Sequence, residues 1–202
     1  MNDDWSPTVL DVPIVEAREQ VELAARAIET YRLHSNWTHL KAWFELVFYI
    51  CQTDYELKVL IHRTFSDSAN RSVWEKYLGL CVHETIEALP RVLGAVHRAA
   101  DSDKGLDDGR VRQTSRAYND AIKAIKADKV FMDGLQMIRN SVAAHHVGKA
   151  EAGLTVAIEW MLTSWRSADN GLTPMNSQIV EYAVVLGRAV QDLGQGLQKA
   201  RG

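Results

Sequence analysis

The sequence is poor in everything that staples or interrupts a chain: its 202 residues include two cysteines, four prolines and twelve glycines. Cys51 and Cys81 form no C-x-x-C pair, which excludes a disulfide scaffold and a zinc ribbon and makes a reducing cytoplasm the expected compartment. An excess of one charge is missing as well. With 23 Lys and Arg against 26 Asp and Glu, the formal net charge is −3, without the broad positive field of a protein that coats nucleic acid or anionic membrane. Any basic site must therefore be local. The longest apolar run, Leu46 to Cys51, is far shorter than the roughly 20 residues of a membrane span. Met1-Asn2-Asp3-Asp4 is acidic where a signal peptide needs basic residues, so neither a membrane nor a secreted protein is expected. No Gly-rich phosphate loop, Ser-His-Asp arrangement, nucleotide fingerprint, internal repeat or low-complexity tract is visible.

What is present is helical periodicity. A chain that is 47% hydrophobic repeats its apolar residues at three and four positions between the few breakers, which predicts a single all-α domain, a bundle of six or seven helices over residues 1–202. A loose arm over 1–14, holding Pro7 and Pro13, precedes a first helix from about Val15 to His34. Ser35 or Asn36 can cap a second helix with two apolar stripes: Leu40, Phe44, Val47, Cys51, Tyr55, and Trp43, Leu46, Ile50, Leu57, Leu60. Two such faces imply a central helix enclosed by neighbours. Asn70 or Ser72 starts a third, expected to bend at Pro90, which has no N–H for the carbonyl of Ile86. Its side Trp74, Leu78, Cys81, Thr85, Leu89, Val92, Val96 is apolar.

After a polar loop at 101–108, a fourth helix turns Val111, Ser115, Tyr118, Ile122 and Ile125 inward, and a fifth runs from about Asp128 to His146, stopping near Gly148. Residues 154–165 are read as a helix. The last helix, about 175–200, carries the heptad seam Ile179, Ala183, Leu186, Val190, Leu193, Leu197, with Gly187 and Gly194 one heptad apart to admit another helix closely. Tryptophans at 43, 74, 160 and 165 fit buried stripes and read as packing, as do Cys51 and Cys81. His83 and Glu87 stand four apart and could share a metal, but no third ligand is placed beside them, so no metal or cofactor is expected.

The densest chemistry lies in Ile138-Arg139-Asn140-Ser141-Val142-Ala143-Ala144-His145-His146. Arg139 and His146 are seven positions apart, so on a regular helix they project about 20° from one another and can contact one phosphate. His145 instead continues the apolar stripe Phe131, Leu135, Ile138, Val142. RNA cleavage without metal needs a proton-transfer group that titrates near neutrality and a fixed positive charge for the developing phosphorane, which histidine and arginine supply. Asn140 can orient a phosphate oxygen or hold an imidazole tautomer. The competing reading of the same residues is a helix end where His caps carbonyls and Arg pairs with an acid on another helix.

The Arg-Asn pair followed by Ala144-His145-His146 resembles the motif of the HEPN superfamily, an arginine, a polar residue and then a histidine, and in particular its abortive-infection-associated branch. The resemblance covers roughly residues 37–147. It implies a helical, metal-independent endoribonuclease of toxin, phage-defence or RNA-processing settings, built as a homodimer that sets two motifs face to face, with RNA as substrate and a cognate antitoxin as a partner. By the family pattern His145 is the matching histidine, whereas helix phase prefers His146. The tyrosine that the adenylylation-silenced members carry two residues past the histidine is absent here, where Val147 and Gly148 stand.

A second feature points to RNA by charge. Arg112, Arg116, Asn119, Lys123 and Lys126 fall within an arc of about 80° on the fourth helix. Between Lys104 and Lys129, seven Lys or Arg face four Asp. Such a strip can follow a phosphate backbone, or it can be an ordinary solvated face. Two functions follow from these readings: a ribonuclease using Arg139, Asn140 and one of His145 and His146, or a catalytically silent helical module that binds RNA or protein.

Overall fold

The computed structural model describes residues 11–34, 40–100, 105–144 and 174–201. Among these residues every regular element is helical: α1 (Asp11–Leu33), α2 (Lys41–Ser66), a 3-10 turn (Ser68–Asn70), α3 (Arg71–Ala99), α4 (Asp108–Ala121), α5 (Lys123–Ala127), α6 (Lys129–Ala144) and α7 (Pro174–Arg201). The all-α bundle expected from periodicity is the observed architecture.

The centre of the bundle is α2, packed against α1, α3 and α7. Its two apolar stripes explain this position, although they are not equal. Trp43, Leu46, Ile50, Leu57 and Ile61 are buried, while Phe44, Val47 and Leu60 pack half-buried against the same core. On α7 the whole heptad seam, from Ile179 through Ala183, Leu186, Val190 and Leu193 to Leu197, is at most 1% exposed. The seam serves the core of this chain. Gly187 and Gly194 admit α2: a Cβ on Gly194 would stand 3.3 Å from Ile50 Cγ2, and one on Gly187 4.0 Å from Leu57 Cδ1. The two glycines and the two residues they face share the same seven-residue spacing, which brings the helix axes close along a full heptad.

The inward set on α4 and α5 is as expected, with Val111, Ser115, Tyr118, Ile122 and Ile125 all buried. The single fourth helix of the sequence reading is instead two pieces, because Ile122 leaves helical geometry at φ −95°, ψ 3°. Register survives the break, since Ile122 N–H still reaches the Tyr118 carbonyl (3.2 Å) and Lys126 N–H that of Ile122 (3.1 Å). Two further boundaries move. Pro13 belongs to the first turn of α1 and not to a loose arm, a place where its missing N–H costs nothing. The start of α3 is secured by Asp67, whose carboxylate accepts from Asn70 N–H (3.3 Å) and Trp74 Nε1–H (3.0 Å). Neither Asn70 nor Ser72 provides that side-chain cap. Pro90 lies inside α3 on its exposed side.

A crossing of α6 over α3 positions the candidate site. It occurs at Gly79, where a Cβ would stand 3.2 Å from both Leu135 Cδ2 and Ile138 Cδ1. Phe131, Leu135 and Ile138 bury one face of α6 at 3% exposure or less. Asn140 is exposed on the opposite face, whereas Arg139, four residues after Leu135, is exposed at the flank of the buried face, beside α3. The expected caps Ser35 and Asn36, the residues His145, His146 and Gly148, the helix at 154–165 and Trp160 and Trp165 lie outside the described residues.

Candidate functional site

Arg139 is held from α3. Its Nε donates to Glu84 Oε1 at 2.8 Å, and the two side chains are 50% and 47% exposed. The structure thus contains the interhelical Arg-acid pair of the competing reading, whose other part, capping by His145 or His146, lies outside the described residues. One edge of the guanidinium is anchored, and half of the side chain still faces solvent. Asn140 is braced by its own helix: Gln136 Nε2 donates to Asn140 Oδ1 (2.9 Å). Gln136 is in turn tied to α3 through its Oε1, 3.2 Å from His83 Nε2. Consecutive residues of α3, His83 and Glu84, therefore support consecutive residues of α6, Asn140 and Arg139. His83 is 3% exposed and its Nδ1 meets no hydrogen-bond partner among the described residues.

Sequence reasoning considered His83 only with Glu87. The structure separates those two, with His83 turned inward to Gln136 and Glu87 exposed. No group of three metal-ligating side chains occurs among the described residues. Glu84 was not singled out at all. A pairing across 55 residues, from α3 to α6, leaves no local trace in the sequence.

The five strip residues are all exposed on α4 and α5. Arg112 is engaged by Asp108 at 2.6 Å, and Asn119 Nδ2 donates to the Ser115 carbonyl at 2.9 Å. Among the described residues Arg116, Lys123 and Lys126 enter no ion pair, so these three supply the uncompensated charge of the strip. No described hydrogen bond or ion pair joins the strip to Arg139 or Asn140. A cleft of about 420 Å³ lined by Arg110, Gln113, Thr114, Asp192 and Lys199 opens on the other flank of α4, against α7.

At the α3–α4 junction the structure assembles a serine, a histidine and an aspartate that sequence spacing did not suggest. His97 Nε2 is 3.2 Å from Ser115 Oγ, and His97 Nδ1 is 3.5 Å from Asp108 Oδ1. Ser115 is only 7% exposed, and its hydroxyl donates to the Val111 carbonyl (2.8 Å), so its hydrogen is committed to the helix and not to the imidazole. The group braces a junction. It does not present a nucleophile. The thiols are equally quiet: burial, and then Glu56, pushes Cys81 up to about 12, and burial raises Cys51 as well.

Two carboxylates at helix starts, Asp108 at this junction and Asp67 between α2 and α3, give an acid-stability prediction. The hydrogen bond from Arg112 holds the Asp108 carboxyl below the usual range, and the bond from Trp74 does the same for Asp67. A carboxylate depressed in the folded state contributes stability above its unfolded value, and the contribution is lost as pH falls through the folded one. The melting temperature is expected to hold from neutrality to about pH 5 and to drop below about pH 4. Asp108→Asn should flatten part of that drop. An unchanged acid slope in thermal melts of the variant would refute the assignment.

Among the described residues no helix is long and apolar enough to cross a membrane. The chain matches no family model, no curated protein and no solved structure.

Proposed function

We propose that the chain is a metal-independent endoribonuclease of HEPN type, acting in the cytoplasm as a toxin or phage-defence effector. The observation that carries this reading is the exposed Arg139–Asn140 pair on α6, braced from α3 by Glu84 and, through Gln136, by His83. A guanidinium anchored by one edge and half exposed by the other is suited to a phosphate that gathers charge during reaction. In the proposed step the 2′-hydroxyl attacks the neighbouring phosphorus while His145 or His146 takes its proton, and the P–O5′ bond breaks as the 5′-oxygen receives a proton from that imidazolium or from water, giving a 2′,3′-cyclic phosphate and a 5′-hydroxyl. The strip Arg112, Arg116, Asn119, Lys123 and Lys126 supplies backbone contacts for the RNA. A homodimer and a cognate antitoxin belong to this reading through the family resemblance. With the α7 seam used inside the chain, exposed apolar residues such as Tyr77 on α3 and Val130 and Met137 on α6 are the ones left for a partner.

The Glu84–Arg139 ion pair favours a second reading, a catalytically silent helical module in which Arg139 serves packing between helices. Incubation of the purified chain with labelled RNA in EDTA separates the two. The enzyme yields fragments ending in 2′,3′-cyclic phosphate, and the silent module leaves RNA intact. Within the first outcome, Arg116→Ala or Lys123→Ala is expected to weaken RNA binding and to reduce its salt slope by about one while cleavage chemistry persists. A salt slope equal to that of the parent chain would remove the strip from the interface.

A further inference from the structure

We propose that buried His83 is a positioning residue that sets the direction of a hydrogen-bond relay, His83 to Gln136 to Asn140, so that the motif offers only donors to an RNA phosphate. The relay can run in two directions, because both members beyond the imidazole are amides with a donor end and an acceptor end. In the observed direction His83 Nε2–H donates to Gln136 Oε1 and Gln136 Nε2–H donates to Asn140 Oδ1. In the reverse direction His83 Nε2 accepts, and its hydrogen moves to Nδ1. That atom is buried and has no acceptor among the described residues.

A stranded buried N–H is a rarer and costlier feature than an unused lone pair, so the orphan Nδ1 selects the tautomer with hydrogen on Nε2. One buried imidazole thereby fixes both amides. Asn140 uses its oxygen inward on Gln136, and its amide NH2 is the end left for the solvent side of α6, one residue from the half-exposed guanidinium of Arg139. Donors alone then face outward from this pair, which is the chemistry that holds a phosphate oxygen. With the relay reversed, the Asn140 carbonyl would face the same oxygen and repel it. The direction rests on geometry alone, whereas the phosphate as its recipient rests on the ribonuclease reading.

The two can fail separately, so the test has two arms. In the isotope-labelled full chain, the side-chain amide signals of Gln136 and Asn140 are identified by their loss in Gln136→Met and Asn140→Asp. A Gln136 amide proton is expected to exchange with solvent more slowly than either proton of Asn140, and a slow proton on Asn140 overturns the relay whatever RNA does. In the second arm, binding of a short fluorescein-labelled single-stranded RNA of mixed sequence is followed by anisotropy in EDTA.

His83→Phe keeps a buried ring without a donor and is expected to lose the slow Gln136 proton and to bind the RNA about tenfold more weakly, the value of one hydrogen bond. His83→Gln restores a donor near the Nε2 position and is expected to restore both signals, a rescue that mere core filling would not give. Gln136→Met, at a half-buried position, carries the same expectation of weakened binding should His83→Phe fail to fold. Parental affinity in Gln136→Met overturns the positioning role. A slow Gln136 proton in a chain that neither binds nor cuts RNA overturns the phosphate as recipient and leaves the direction of the relay standing.

Discussion

Arg139→Ala is expected to lower RNA cleavage by about 10²–10³-fold, or about 3–4 kcal/mol of transition-state stabilisation, while leaving the fold in place. The two effects separate because the ion pair it breaks is half exposed on both sides, and pairs of that kind contribute about 0–1 kcal/mol to stability. A thermal shift of a few degrees at most should therefore accompany the loss of activity. Glu84→Gln removes the charge that anchors Nε and is expected to cost activity less than Arg139→Ala does. Of His145→Ala and His146→Ala, one should match the arginine variant and the other should retain most activity. Full cleavage in the double histidine variant would end the ribonuclease reading. If Arg139→Ala changed only the melting temperature and no RNA readout, the silent packing role would be the correct one.

Phe131→Ala carries the largest expected loss of stability, about 3–5 kcal/mol out of the 5–15 typical of a whole domain. Its ring is 1% exposed and meets Tyr182 edge-on, with centroids 4.7 Å apart at 90°. Around that contact the start of α6 is tied to α7: Asp128 Oδ1 accepts Phe131 N–H (2.9 Å), while Asp128 Oδ2 accepts Gln178 Nε2 (2.6 Å) and the Tyr182 hydroxyl (3.1 Å). Removing the ring opens a cavity at a place where the chain is already pinned by hydrogen bonds and is slow to collapse around it. A fall in melting temperature of about 10 °C is expected from this loss in a chain of this length. Tyr182→Phe keeps the ring contact and removes one hydrogen bond, so its cost should be nearer about 1 kcal/mol. A loss below about 1 kcal/mol for Phe131→Ala in urea unfolding would show that the α6–α7 contact is not the anchor described here.

Much of the architecture was legible from residue order alone. The inward sets on α4 and α5 and the heptad seam on α7 emerge from a period of 3.6, and periodicity is a property of neighbours in sequence. Arg139 and Asn140 were legible in another way, as polar residues crowded with two histidines into one short stretch, and both are exposed on α6. The small break at Ile122 escaped, since the apolar period continues straight through it. Asp67 escaped as the cap of the 3-10 turn that leads into α3 because its carboxylate also takes the indole N–H of Trp74, a whole helical turn past the usual capping positions.

The sequence by itself determined which residues form helices and which side of each helix turns inward, because both follow from local spacing and from the cost of exposing apolar surface. The tertiary structure alone decided which helix meets which. It placed Ile50 and Leu57 against Gly194 and Gly187, and set α6 across α3 at Gly79. It gave Arg139 to Glu84 and Asn140, through Gln136, to His83. These pairings join residues tens of positions apart, and their energies depend on shape and hydrogen-bond partners that exist only once the helices have packed.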